Sequence, residues 1–121
     1  ADPFERLKAI GRVYMEFAKD NKDLYDLMFI TEAPMNAEQN KDKWEMGCTA
    51  FGFLQQVVKE CMEAGRFKNR DLDYLSFIIW SGVHGMCALY CRQRMHVIEG
   101  KDQEDLLKNG YRYFTDMLEN L

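Results

Sequence analysis

The sequence predicts an all-α protein, a five-helix bundle in one domain. Apolar residues recur at spacings of three and four along several long stretches, the pattern of amphipathic helices. Only two prolines occur, Pro3 and Pro34, and no run alternates as a half-buried strand would. The length of 121 residues, with 47% hydrophobic and 30% charged residues, matches a single globular domain. The reading is of one domain over residues 1–121.

Asp2 reads as an N-cap, with Pro3 at the first helical position and Glu5 completing a capping box. The stripe Phe4, Leu7, Ile10, Tyr14, Phe17 then carries a helix to about Lys19. Asp20-Asn21-Lys22 interrupts it, and a short helix over 23–30 follows with Leu24, Leu27 and Met28. "TEAPMN" reads as a loop, and Asn36, with Gln39 three residues on, reads as the cap of the third helix. Trp44, Cys48, Phe51, Leu54, Val58, Cys61 and Met62 form its apolar stripe, and Gly65 is its C′ stop.

"RFKN" connects to a fourth helix over about 71–95, apolar on nearly every side and therefore buried from more than one direction. Gly100 and Asp102 separate it from a last helix over about 103–120. That helix carries two apolar stripes, Leu107, Tyr111, Phe114, Leu118 and Leu106, Gly110, Tyr113, Met117.

The motif "WSGVHGM", Trp80 to Met86, places two glycines inside the fourth helix. A glycine in a helix interior costs roughly 0.8–1 kcal/mol relative to alanine, so close packing is the expected return. Ser81, Gly85, Ala88 and Arg92 share one nearly smooth face. With Leu106, Gly110, Tyr113 and Met117 of the last helix it makes a candidate two-fold dimer interface, a four-helix bundle of two copies. Tight packing within one chain is the competing reading. On an adjacent face Trp80, His84, Cys87 and Cys91 look into the domain, towards Trp44, Cys48 and Phe51.

That arrangement defines a candidate cavity for a small, largely apolar ligand. Its proposed walls are Tyr14, Phe17, Met28, Trp44, Cys48, Phe51, Trp80, His84 and Cys87, with His84 as the polar group. Met15, Met28, Met35, Met46, Met62 and Met86 add adaptable surface. The alternative is a filled core in which His84 is a satisfied buried histidine.

The net charge of −4 and pI near 5.2 lack the basic footprint that phosphate neutralisation needs, so this chain is not expected to bind duplex DNA alone. Four cysteines, at 48, 61, 87 and 91, form no C-x-x-C and stand beside only two histidines, so no structural zinc site is expected. Each lies in an apolar stripe, which predicts reduced thiols and a cytoplasmic location. No stretch reads as about 18 uncharged apolar residues and no signal peptide is evident, so no membrane partner is expected.

Catalysis is not expected. There is no H-E-x-x-H and no Glu-x-x-His pair, and nothing near Cys48 or Cys87 would activate a thiol beside His84. No cofactor is expected. A helical haem or metal carrier using His84 or His96 with a methionine is an alternative that no spacing supports. A redox pair of Cys87 and Cys91 has poor disulfide geometry on one helix.

The segments "NKDLYDLMF", "GRFKNRDLDYL" and "IIWSGVHGMCAL" resemble the C-terminal domain of tetracycline-repressor (TetR-type) transcriptional regulators. The subgroup is similar to that named for a tryptophan-histidine-glycine motif, here Trp80, His84 and Gly85. This resemblance implies a helical effector-binding and dimerisation domain and a homodimer through the last two helices. It also implies a preceding helix-turn-helix domain that reads DNA. No such unit precedes residue 1, and the chain opens on Ala-Asp-Pro without an initiator methionine, so a part upstream is expected. The effector's identity does not carry over.

Overall fold

The structure, a computed structural model, describes residues 2–30 and 45–121. Among these, α1 spans Pro3–Asp20, α2 spans Lys22–Tyr25, α3 spans Glu45–Glu63, α4 spans Leu72–Cys91 and α5 spans Gln103–Glu119. The described residues contain no strand, and the fold is all-α as predicted.

Each well-marked boundary has a local cause. Asp2 Oδ1 accepts from the Phe4 amide at 3.1 Å, which caps α1. The expected capping box is replaced: the Glu5 carboxylate pairs with Lys8 at 2.9 Å. α2 is one turn long and continues as a π-helical turn, Asp26–Ile30, so the predicted 23–30 helix is wound in two ways. The Asn36 cap, Gln39, Met35 and Trp44 lie outside the described residues.

α3 ends in a Schellman motif. Gly65 sits at φ 99°, the Arg66 amide donates to Cys61 O at 2.9 Å, and the Gly65 amide donates to Met62 O at 3.0 Å.

The connector "RFKN" is not simply a surface loop. Phe67 and Asn69 adopt left-handed φ of 57° and 64°, and the first of these turns the Phe67 ring into the core. There it meets Phe4 edge-on at 6.2 Å.

α4 stops four residues earlier than the apolar pattern predicts. Gln93 takes φ 57°, the Arg94 amide donates to Leu89 O at 2.9 Å, and the Gln93 amide donates to Tyr90 O at 3.1 Å. This is the same C-terminal motif made without glycine, so composition gave no signal for it. A short 3-10 turn, Met95–Val97, follows, and Asp102 caps α5 through the Asp105 amide at 3.2 Å.

α4 also corrects the reading on apolar length. Leu72–Cys91, with a mean hydropathy of 1.3, is long and apolar enough to cross a membrane by length and composition. In the fold it is the central helix, touching α1, α3 and α5, with Leu75, Ile79, Val83, Cys87 and Tyr90 buried. The core has two parts. One joins Phe4, Leu7, Val57, Val58, Cys61, Phe67 and Ile79; the other joins Met15, Ala18, Tyr25, Val83, Cys87 and Tyr111.

Candidate functional site

The stripe predicted for α1 divides in two. Phe4, Leu7, Gly11, Met15 and Ala18 form the buried line, while Ile10, Tyr14 and Phe17 stand half-buried beside it. The half-buried set forms one wall of a cavity of about 1000 Å³. Met28 and Phe29 line it from the π-helical turn, and Phe51, Leu54 and Val57 from α3. Ile79, Trp80 and Val83 of α4 and Tyr111 and Phe114 of α5 complete it.

Glycine shapes this wall. At Gly11 a Cβ would overlap the Tyr111 hydroxyl, which donates to the Lys8 carbonyl at 2.7 Å. At Gly82 a Cβ would lie 2.8 Å from the Phe114 ring. Both glycines therefore let an aromatic ring of α5 reach a neighbouring backbone.

Among the described residues, the cavity's charged rim is internally paired. Arg6 meets Glu60 at 2.6 Å and Lys8 meets Glu5 at 2.9 Å. Thr115 donates to its own helix at Arg112 O, 2.9 Å away.

Behind the Tyr14 wall runs a polar chain. Tyr25, fully buried, places its hydroxyl 3.0 Å from the Tyr14 hydroxyl and 2.9 Å from His84 Nδ1. Cys87 is buried in the same core cluster as Tyr25. The rings pack as a cluster: Tyr14 meets Tyr25 edge-on at 5.6 Å, Tyr25 meets Phe29 at 5.0 Å, and Phe51 meets Trp80 at 5.7 Å.

Burial sets the ionisation. It pushes the Tyr25 phenol far up, with the Tyr14 hydrogen bond adding to the effect, and it raises Tyr14. It lowers His84, favouring the neutral ring, and pushes the Cys87 thiol up to about 12. A thiol that high stays protonated at neutral pH and is a poor nucleophile.

Of the residues chosen from sequence, Tyr14, Phe17, Met28, Phe51 and Trp80 line the cavity together. His84 and Cys87 do not line it: His84 sits one layer behind, reached through Tyr25, and Cys87 is buried in the core. Cys48 does not line it. It is exposed, contrary to its assignment to an apolar stripe, and borders a separate cleft of about 380 Å³ with Phe51, Gln55, Phe77 and Trp80. Trp44 lies outside the described residues.

Sequence reasoning missed Tyr25, Tyr111 and Phe114. Tyr25 belongs to a short helix with little periodicity, and the other two look like ordinary core positions until Gly11 and Gly82 are placed opposite them.

The proposed dimer residues occupy a different surface. Ser81, Gly110, Tyr113 and Met117 are exposed, and Gly85, Ala88 and Leu106 half-exposed. Arg92 has a partner within the chain, its Nε lying 2.7 Å from Asp26 Oδ1.

No curated protein and no solved structure matches the chain at a significant level. The family model of the tetracyclin repressor-like C-terminal domain matches residues 7–112, which include most of the cavity lining but not Arg6, Phe114, Thr115 and Leu118. The chain therefore belongs to the tetracycline repressor-like C-terminal domains, regulatory domains of TetR-type transcription regulators.

Proposed function

We propose that this chain senses a small, mostly apolar effector in the cavity between α1, α3, α4 and α5, and dimerises through α4 and α5. The observation that carries this is the cavity itself. About 1000 Å³ is bounded by aromatic and aliphatic side chains from several helices, with its rim charges already paired. Such a space favours a ligand of low polarity.

The dimer rests on separate support. Tyr74 is 76% exposed, Ile78 56%, Tyr113 65% and Met117 64%. On α4, Tyr74 and Ile78 continue the line of Ser81, Gly85 and Ala88, and a Cβ at Gly85 or Gly110 would meet nothing within 4 Å. Large apolar side chains flanking a smooth strip of small ones suit a closely approaching second copy.

Effector binding would act by favouring one dimer geometry over another, with couplings of this kind typically about 1–3 kcal/mol. DNA would be read by a helix-turn-helix domain elsewhere in the parent protein, whose half-site spacing the dimer sets.

Two measurements test this. Sedimentation at tens of micromolar is expected to show a dimer. Thermal-shift screening with aromatic and polycyclic compounds is expected to find stabilising ligands. A monomer would remove the dimer, and the absence of any shift would favour a filled core.

A further inference from the structure

This inference rests on the cavity reading above and concerns what the cavity selects. We propose that the effector is an uncharged aromatic molecule whose polar group is a hydrogen-bond acceptor, held by the Tyr14 hydroxyl, with the proton order set back through Tyr25 to His84.

The Tyr25 hydroxyl has one proton and lies within hydrogen-bond distance of both Tyr14 and His84 Nδ1. Two orders remain.

In the first, His84 carries its proton on Nε2. Tyr14 then donates to Tyr25, and Tyr25 donates to Nδ1. The Tyr14 oxygen offers the cavity only a lone pair. In the second, the proton is on Nδ1. His84 donates to Tyr25, and Tyr25 donates to Tyr14. Tyr14 then accepts from Tyr25, and its own O–H is left free to turn towards the cavity that the residue lines.

An unmet donor in an apolar wall costs more than a spare phenol lone pair, so the empty cavity favours the first order. A ligand carbonyl or ether supplies the missing acceptor and favours the second. Binding thus moves the His84 proton from Nε2 to Nδ1 without changing any net charge.

The surroundings select against charge. Arg6 and Lys8, the cations at the rim among the described residues, already face Glu60 and Glu5. A carboxylate entering here would lose its water without gaining a cation. Among the described residues, the other hydroxyls on the lining are those of Thr49, at the exposed rim, and of Tyr111 and Thr115, which donate to backbone carbonyls.

The test uses acetylnaphthalene, ethylnaphthalene and naphthoate, substituted at the same ring position, titrated by calorimetry into the chain and its Tyr14→Phe variant. The ketone is expected to bind about five- to tenfold tighter than the ethyl compound, the yield of one net hydrogen bond, and naphthoate weakest. Tyr14→Phe is expected to erase the ketone's advantage and leave ethylnaphthalene unchanged. Nitrogen NMR of labelled His84 is expected to show Nε2 protonation with ethylnaphthalene and Nδ1 protonation with the ketone.

Equal binding of ketone and ethyl compound by the unaltered chain would overturn the anchor while leaving the cavity reading intact. So would a ketone advantage that survives in Tyr14→Phe, or a His84 proton that stays in place. Binding of none of the three would overturn the cavity reading itself, and this inference with it.

Discussion

The Tyr111 hydroxyl lies over Gly11 and donates to the carbonyl of Lys8 at 2.7 Å. One bond therefore ties α5 to α1, and it exists because residue 11 has no side chain. Gly11→Ala is expected to cost about 1–3 kcal/mol through overpacking, despite alanine's better helix propensity. Tyr111→Phe is expected to cost about 0.5–1.5 kcal/mol for the lost hydrogen bond. Urea denaturation of both variants and of the double variant measures this, and strong non-additivity is expected because the residues touch.

Gly82 and Gly85, three residues apart on α4, are expected to respond oppositely to alanine. Gly82→Ala forces a Cβ to within 2.8 Å of the Phe114 ring and should destabilise. Gly85→Ala meets nothing within 4 Å among the described residues and should raise the stability of the monomer fold by up to about 1 kcal/mol. If α4 faces a second copy there, Gly85→Leu should weaken the dimer in sedimentation while the helical content by circular dichroism stays intact. A fully dimeric Gly85→Leu variant would move the interface elsewhere.

Phe51 stacks against Trp80 at 5.7 Å and faces the cavity. Phe51→Ala is expected to weaken binding of an apolar ligand and to leave the dimer unchanged. Calorimetry and sedimentation on the same sample separate the two. If Phe51 instead plugs a filled core, the variant loses roughly 3–5 kcal/mol of stability.

Burial lowers the His84 pKa, which gives stability a defined pH dependence. The unfolded chain binds this proton near its ordinary value of about 6.5. The folded chain resists it until lower pH. Between these values the unfolded state holds more protons, so stability rises with pH there, is fully present above about pH 6.5 and falls on acidification. The titratable groups near it, Tyr14, Tyr25 and Cys87, do not titrate in this window, since all three are pushed upward. Glu60 is held low by Arg6 and titrates below it. The melting temperature should therefore drop between pH 7.5 and about pH 5, and His84→Gln should flatten that drop. An unchanged slope in the variant would place the pH dependence elsewhere.

What was legible in the sequence follows from what is local. The helix count, the Asp2 cap, the break at Gly100 and Asp102 and the Gly65 stop are decided within a few residues of chain, so they can be read from neighbours alone. Helical periodicity also identified Tyr14, Phe17, Met28, Phe51 and Trp80 as facing inward.

Periodicity gives direction but not partners, and the tertiary structure decided the rest. It sent Gly82 inward against Phe114 and left Gly85 outward, although one motif holds both. It ended α4 at Cys91 through a left-handed Gln93 that no glycine announces. It put Cys48 in solvent, and it placed Tyr25 between Tyr14 and His84, 59 residues apart in sequence from the latter. A hydrogen bond over that separation depends on how two helices cross. That crossing is set by side-chain volumes summed over the whole core, and no local stretch of the chain contains it.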